Sequence, residues 1–293
     1  MYRQKSFDSE SPTLYLVATP IGNLKEMTPR AVEIMQQVEY IAAEDTRNTI
    51  KLLNHFEIKA KLVSHHEHNL RQSIPHLIHL MEEGNDLVLV SDAGYPAISD
   101  PGYELVQEAI CHQLNVVPIS GANACLDALV VSGIAPQPFT FFGFLDHQDR
   151  LKRRQLEKYR YHQETMVFYE SPYRIEKTLK MMLEIWGDRE MALCRELTKR
   201  HEEIIRGRVS EILTIAGELK GEMVIVISGS QEEAKTEEEE YTLSVAEQVE
   251  AYIQSGMSSR DAIKQVSQER HLNKNEVYQT YLNERKEKEK CLS

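Results

Sequence analysis

The chain has 293 residues, enough for about two α/β-sized domains and for a large core without disulfides or a structural metal. Lys plus Arg number 34 and Asp plus Glu 46, a formal charge of −12 that excludes a polybasic nucleic-acid binder but leaves room for local basic patches. No apolar run approaches the ~20 residues of a membrane span, and the opening MYRQKSFDSESP lacks a signal-type apolar segment and reads as a short frayed arm.

Short apolar runs then alternate with amphipathic ones. TLYLVAT (13–19) is a strand. Thr28-Pro29 starts a helix, with Thr as N-cap and Pro at the first helical position. EYIAAE reads as a strand, the stretch around Ile50–Leu53 as a helix, KLVSH as a strand and Ile74–Met81 as a helix. DLVLVSDAG (86–94) is a buried strand, because its apolar run is continuous rather than alternating. Asp100-Pro101 is expected to cap the next helix, and NVVPIS (115–120) is again a strand. This βα alternation implies a parallel sheet with helices on its faces.

After a helix at Ala122–Val131, strands are expected at 139–144, 165–170, 190–197, 201–209 and 222–228, with helices at 150–160, 172–185 and 210–219. The run EEIIRGRV, a helix, then EMVIVIS suggests some antiparallel pairing. The fold class is therefore α/β, with two α/β domains at 1–117 and 118–230. QEEAKTEEEEY (231–241) is rich in Glu and reads as a solvated linker. Residues 242–293 form a small helical domain of helix-turn-helix type, with starts at Ser244, Ser258 and Asn273 and a stop at Gly256. The closing ERKEKEKCLS is expected to be disordered. Cys111, Cys125 and Cys194 lie in apolar contexts and read as small core residues. With Cys291 they form neither a zinc spacing nor a disulfide framework, which points to a reducing, cytoplasmic setting.

Ligands of α/β sheets bind at strand-to-helix turns on the C-terminal edge. Three such turns are unusual: VATPIGNLKEMTP (17–29), SDAGYPAISDPG (91–102) and PISGANA (118–124). Their Gly, Pro, Ser and Asp allow sharp turns and close backbone approach. None is a dinucleotide fingerprint or a P-loop.

With AEDTR (43–47), HEHN (66–69), YESPYR (169–174), RELTK (195–199) and KGEMVIVI (220–227), these loops occur in a distinctive order. In this the chain resembles the 2′-O-ribose cytidine methyltransferases of small-subunit ribosomal RNA, within the tetrapyrrole methylase superfamily. The resemblance covers 13–230 and, more weakly, the helical tail. It implies S-adenosylmethionine (SAM) in a cleft between two α/β domains, a homodimer, no metal, and a cytidine in the decoding region of the ribosomal small subunit. Ser120 stands where the family often has Pro, and Tyr95 where Thr is frequent. Alternatives are tetrapyrrole C-methylation and a non-catalytic ribosome-binding factor; AEDTR, YESPYR and RELTK favour RNA, and the intact loop set favours an enzyme.

By the same resemblance, Pro20, Ile21 and Gly22 lie near the methionine end of the cofactor or pass beneath it, and Asp92, Ala93, Gly94, Ile98 and Ser99 have their backbone groups nearest it. Gly121 and Ala122 belong to the third loop, Tyr169 and Leu197 line the adenosine side, and Gly221 and Glu222 approach the adenine. Asp100 reads as a cap rather than a ligand contact. HEHN lacks the i, i+4 metal pattern, and the resemblance places it near the substrate opening, which implies a polar, RNA-facing segment. RLKRRQLEKYR (150–160) is either a solvated helix face or a phosphate-contacting surface. The proton of the ribose hydroxyl needs an acceptor. Lys199 is the first candidate, as base or charge stabiliser, since Arg200 beside it favours the neutral amine, and it is also open to a phosphate-holding role; Glu170 and Asp45 follow, each open to a structural pairing with Arg174 or Arg47.

Overall fold

The computed structural model describes residues 3–6, 11–232, 243–270 and 272–291, with side chains described as far as 284. The chain divides into two compact units, 1–233 and 234–293.

The first unit opens with a five-stranded parallel sheet: β1 (Thr13–Val17), β2 (Tyr40–Ala43), β3 (Lys61–Ser64), β4 (Leu87–Val90) and β5 (Asn115–Ile119), in the order β3-β2-β4-β1-β5. Strand periodicity sends Val88 and Val90 to one face and Leu87 and Leu89 to the other. The first pair packs with Met35 of α1 (Pro29–Gln37) and Leu53 of α2 (Thr46–His55). The second packs with Leu77 and Met81 of α3 (Leu70–Glu82) and Leu105 of α4 (Tyr103–Cys111). Burial on both faces is why β4 reads as an unbroken apolar run. Thr28 caps α1 as expected, accepting from the Ala31 N–H at 3.2 Å.

The second sheet is mixed. It holds β6 (Phe139–Phe144), β7 (Thr165–Glu170), β8 (Glu190–Arg195), β9 (Glu203–Arg208) and β10 (Met223–Ile227), in the order β6-β7-β10-β8-β9. Only β6 and β7 are parallel; the other pairs are antiparallel. Cys125, Ala128 and Leu129 of α5 (Ala124–Val131) cover one face. The other face packs Leu156 of α6 (Asp149–Lys158), Leu179, Met182 and Trp186 of α7 (Ile175–Trp186), and Ile212 of α8 (Val209–Ala216).

Several sequence expectations change. Residues 115–119 pair with β1 along their length, and α5 packs on the second sheet, so the chain changes sheet after Ile119 and not between 117 and 118. The amino-terminal arm is not simply frayed. The Gln4 amide donates to the Val116 carbonyl at 2.8 Å and accepts from the Val116 N–H at 2.9 Å, closing an exposed backbone stretch of the edge strand β5. Cys111 is exposed, because it ends α4 away from the Leu105–Ala109 stripe, whereas Cys125 and Cys194 are buried.

The second unit contains α9 (Val245–Gln254), α10 (Ser259–Glu269) and α11 (Lys274–Cys291). Ser244 and Ser258 cap the first two, and Gly256 takes a positive φ of 99° just after α9. Val249, Ala262, Val266, Val277 and Tyr281 form its core. The final stretch expected to be disordered continues α11 through Cys291; its Glu and Lys are good helix formers even without an apolar face. Of the Glu-rich linker, residues 233–241 lie outside the described residues.

Candidate active site

The three unusual loops meet at the C-terminal edge of the first sheet. Thr19 and Gly94 exchange two backbone hydrogen bonds, Thr19 N–H to Gly94 at 2.9 Å and Gly94 N–H to Thr19 at 3.0 Å. The Thr19 hydroxyl donates to Ser91 O at 3.1 Å, tying the first loop to the second again. The third loop lies against the first so closely that a Cβ on Gly121 would stand 2.9 Å from Ala18 Cβ. The Thr28 hydroxyl donates to Ser120 O at 3.4 Å.

Gly102, with φ of 143°, begins α4; a side chain there would meet Leu89 at 2.7 Å. The N-cap of α4 is therefore Gly102, with no side-chain cap bond, and Asp100 is free of the capping role expected for it. Ala97, Glu196 and Thr198 also hold positive φ, at 66°, 50° and 67°. Such backbone strain in non-glycine residues gathers at functional sites, and here it falls in the second loop and in RELTK.

These loops face the ends of β7, β8 and β10 across a cleft of about 410 Å³. Of the residues expected to bind cofactor, Asp92, Ala93, Gly94, Ile98, Ser99, Tyr169, Leu197 and Glu222 line it, as does Ile21. Gly121 and Ala122 line an adjoining hollow with Leu197 and Thr198, and Pro20 lines a smaller one beside Asp92 and Asn48. Gly22 and Gly221 line none of the three. Their lack of a side chain instead makes room for others: a Cβ on Gly22 would stand 2.4 Å from Lys199 Cγ, and one on Gly221 would stand 2.4 Å from the Glu196 side chain.

The cleft is acidic. Burial, then Asp100 and Asp92, push the Glu44 carboxyl above its usual range. Burial likewise raises Asp100, although the Ser91 hydroxyl pulls it back. The Tyr169 hydroxyl, mainly through burial, is pushed up to about 12. Apolar walls come from Phe144, Leu197, Met223 and Val224. Among the described residues no cluster of three His, Cys, Asp or Glu forms a metal site. In SHHEHN only His65 turns inward, fully buried against Ser73 Oγ at 2.9 Å, while the His66 and His68 rings meet edge to face at 6.0 Å outside it.

The three candidate proton acceptors are all engaged. The expected direction for Lys199 is reversed. Burial lowers its affinity for a proton, but Glu222 and Glu196, 2.7 and 3.0 Å from Nζ, outweigh that and raise it. Lys199 is thus a strut: its stem packs on Gly22 while its ammonium joins RELTK to the turn before β10. Glu170 is buried, with Arg174 Nε at 2.9 Å and the Thr178 hydroxyl donating at 2.6 Å. Asp45 caps α2 and pairs with Arg47 at 2.8 Å, which holds its carboxyl down at about 2.

The basic stretch 150–160 divides. Lys152 is buried beside Thr178 and Glu170, and Arg153 pairs with Glu184 at 2.8 Å, so these two are structural. Arg150, Arg154, Lys158 and Arg160 remain exposed.

The model of the tetrapyrrole (corrin/porphyrin) methylases matches residues 13–213, which covers both sheets up to α8. The chain belongs to that family. Its curated relatives include ribosomal RNA small subunit methyltransferase I of Bacillus subtilis, 49% identical over 95% of this chain and 98% of that one. The proteins of the same name in Halalkalibacterium halodurans and Synechocystis are 47% and 41% identical, over 96% and 92% of this chain and 99% and 97% of theirs. Among solved structures, a cobalt precorrin-4 methyltransferase aligns with a TM-score of 0.56 at 17% identity, over 74% of this chain and 94% of that one. The uroporphyrin-III-C-methyltransferase of Thermus thermophilus aligns at 0.53 and 17%, over 74% and 94%. At that identity the likeness is one of fold.

As a tetrapyrrole methylase the chain places its cleft at the edge where the family resemblance expected it. The sequence reading missed Glu44, Asp100, Asn123 and Phe144 as lining residues. Two carried a signal. Glu44 precedes Asp45 in AEDTR at the C-terminal end of β2, and Asn123 caps α5, accepting from Leu126 N–H at 3.0 Å, directly after the glycine loop.

Proposed function

We propose that this chain is a SAM-dependent methyltransferase that methylates the ribose 2′-oxygen of a cytidine in the decoding region of small-subunit ribosomal RNA. The observation that carries the reading is the cleft itself, in which Glu44, Asp92 and Asp100 gather beside apolar walls at the junction of three glycine-containing loops. That chemistry suits a sulfonium cation with an adenosine attached. Bound SAM supplies a methyl group already made electrophilic by its sulfonium charge. The chain's residues would hold the ligand through Asp92, Ala93, Gly94, Ile98, Ser99 and Asp100 on one wall and Tyr169, Leu197 and Glu222 on the other. Gly22, Gly121 and Gly221 would act indirectly, by letting the loops and struts around the cleft close-pack. The RNA substrate is supported by the relatives at 41–49% identity, whose name is that of a ribosomal RNA methyltransferase. The tetrapyrrole enzymes share the fold at 17%.

The deciding assay supplies SAM labelled on its methyl group to unmodified small subunits, to naked ribosomal RNA and to a uroporphyrin-type acceptor. Label is expected in subunit RNA, in a dinucleotide that resists alkaline cleavage because its 2′-oxygen is methylated. Label in the porphyrin alone would overturn the reading.

The second unit, within 242–293, is assigned to RNA contact, and the small subunit and the cytoplasm to the setting. A chain ending at Glu233 is expected to keep its SAM affinity and thermal midpoint while its KM for small subunits rises about tenfold, on the order of one lost set of phosphate contacts. An unchanged KM would remove the tail from the substrate interface.

A homodimer is assigned through α5. Its sequence, ACLDALVV, is apolar nearly all round, yet Leu126 and Val130, one turn apart, are 48% and 73% exposed. A helix apolar on every side is normally covered. Light scattering should give a dimer at micromolar concentration and a monomer for Val130→Glu. A monomeric parent protein refutes the assignment.

A further inference from the structure

Tyr173 is 97% exposed, and Phe144, on the cleft wall, is 56% exposed. Large aromatic side chains bury most of their area unless something else covers them; Phe144 lines the cleft, and Tyr173 follows directly on the lining residues Ser171 and Pro172. Phe144 ends β6 and stands in register with Tyr169 of β7; their rings meet edge to face at 5.5 Å. Tyr173 lies four residues after Tyr169, at the tip of the turn Ser171–Arg174, and Ser171 and Pro172 of that turn line the cleft.

Arg174 holds the two segments together. Its Nη2 donates to Leu145 O at 2.7 Å and its Nη1 meets His147 at 2.5 Å, while Nε lies 2.9 Å from the buried Glu170. The end of β6 and the turn that carries Tyr173 are therefore tied to one another. The rim continues into α6, where Arg150 and Arg154 are exposed. An aromatic face edged by cations at the mouth of a cleft is the pattern by which proteins take unpaired bases of RNA: the ring stacks on the base and the cations meet the backbone.

We infer that Tyr173, with Phe144, forms a stacking platform for an unpaired base of the RNA substrate, and that Arg150 and Arg154 contact the flanking phosphates. The inference rests on the RNA methyltransferase reading above and adds the residues that position the nucleotide. Tyr173 is a positioning residue: its ring is almost wholly exposed and does not line the cleft. The chemistry asked of it is that of a ring, so phenylalanine should serve as well as tyrosine.

The experiment compares the full chain with Tyr173→Ala and Tyr173→Phe, using unmodified small subunits and labelled SAM under steady-state and single-turnover conditions. The nearly complete exposure of Tyr173 means that neither change should disturb folding, and equal thermal midpoints would confirm it. Tyr173→Ala is expected to lower kcat/KM for subunits about tenfold or more, the usual range for one lost stacked base. Tyr173→Phe should stay within about twofold of the parent, and SAM affinity by calorimetry should be the same in all three. Arg150→Gln with Arg154→Gln should weaken subunit binding and flatten its salt dependence.

Activity of Tyr173→Ala within about twofold of the parent overturns the platform. So does a loss that Phe does not rescue, which would assign the role to the hydroxyl. A change in oligomeric mass for Tyr173→Ala would also overturn it, placing a second copy of the chain on this rim. If the parent protein itself methylates no RNA, it is the underlying reading that fails, and the two failures are separable.

Discussion

Asp100→Asn is expected to weaken SAM binding about tenfold while changing the affinity for S-adenosylhomocysteine by no more than about threefold. The two ligands differ chiefly in the methyl group and the sulfonium charge it brings. A carboxylate that serves the cleft through its charge must therefore discriminate between them, whereas one that serves by shape or by hydrogen bonding to the adenosine must not. A tenfold change is about 1.4 kcal/mol, modest for one charge pair in a partly enclosed site. Asparagine keeps the size of the side chain, and Asp100 makes no cap bond to α4, so the fold should survive. Isothermal calorimetry with both ligands is the measurement, and equal losses would remove electrostatics from the account.

The same cluster predicts the sign of a pH effect. Burial raises the Glu44 and Asp100 carboxyls first; Asp100 and Asp92 add to the rise of Glu44, and Asp92 to that of Asp100 against the pull of the Ser91 hydroxyl. Lowering the pH through those raised values protonates the cleft before ordinary surface carboxylates respond. Preference for SAM over S-adenosylhomocysteine should fall with it, and Asp100→Asn should flatten that dependence.

What was legible in the sequence was what a single segment determines. The apolar run of β4, the Thr28-Pro29 start, the capping serines of the tail and the glycine loops each declare themselves locally, and each stands where it was expected. What was not legible depended on partners brought from afar. Asp100 before Pro101 has the form of a helix start, and only the packing of Gly102 on Leu89 moves that start along and frees Asp100 to face the cleft. Lys199 beside Arg200 suggests a weakened ammonium. Its decisive neighbour, Glu222, lies 23 residues away in sequence and reaches it only because β10 lies beside β8. Lys152 looks like one more cation on a basic helix until Thr178 and Glu170 enclose it.

That enclosure yields the largest expected effect on stability. Lys152 is 2% and Glu170 3% exposed. The Lys152 ammonium donates to Thr178 Oγ1 at 2.7 Å and lies 3.5 Å from Glu170 Oε2, and Thr178 in turn donates to Glu170 at 2.6 Å. Lys152→Met fills a similar volume but strands part of the Glu170 charge, and removing one partner of a buried pair costs about 3–5 kcal/mol. Arg174 still faces Glu170, so the lower end of that range is expected. For a unit of this size the midpoint of thermal unfolding should fall by roughly 6–12 °C. Lys152→Met combined with Glu170→Gln should recover much of the loss, because no uncompensated carboxylate is then buried. The pH dependence supplies a second reading. Burial, only partly offset by Glu170, draws the Lys152 ammonium below its usual value. Between the folded and unfolded values the unfolded chain binds the extra proton, so this group makes stability rise with pH across that alkaline window. The Met variant should lack that rise. A Lys152→Met protein that unfolds within about 2 °C of the parent, with the same alkaline slope, would show that Glu170 is satisfied by Arg174 and Thr178 alone.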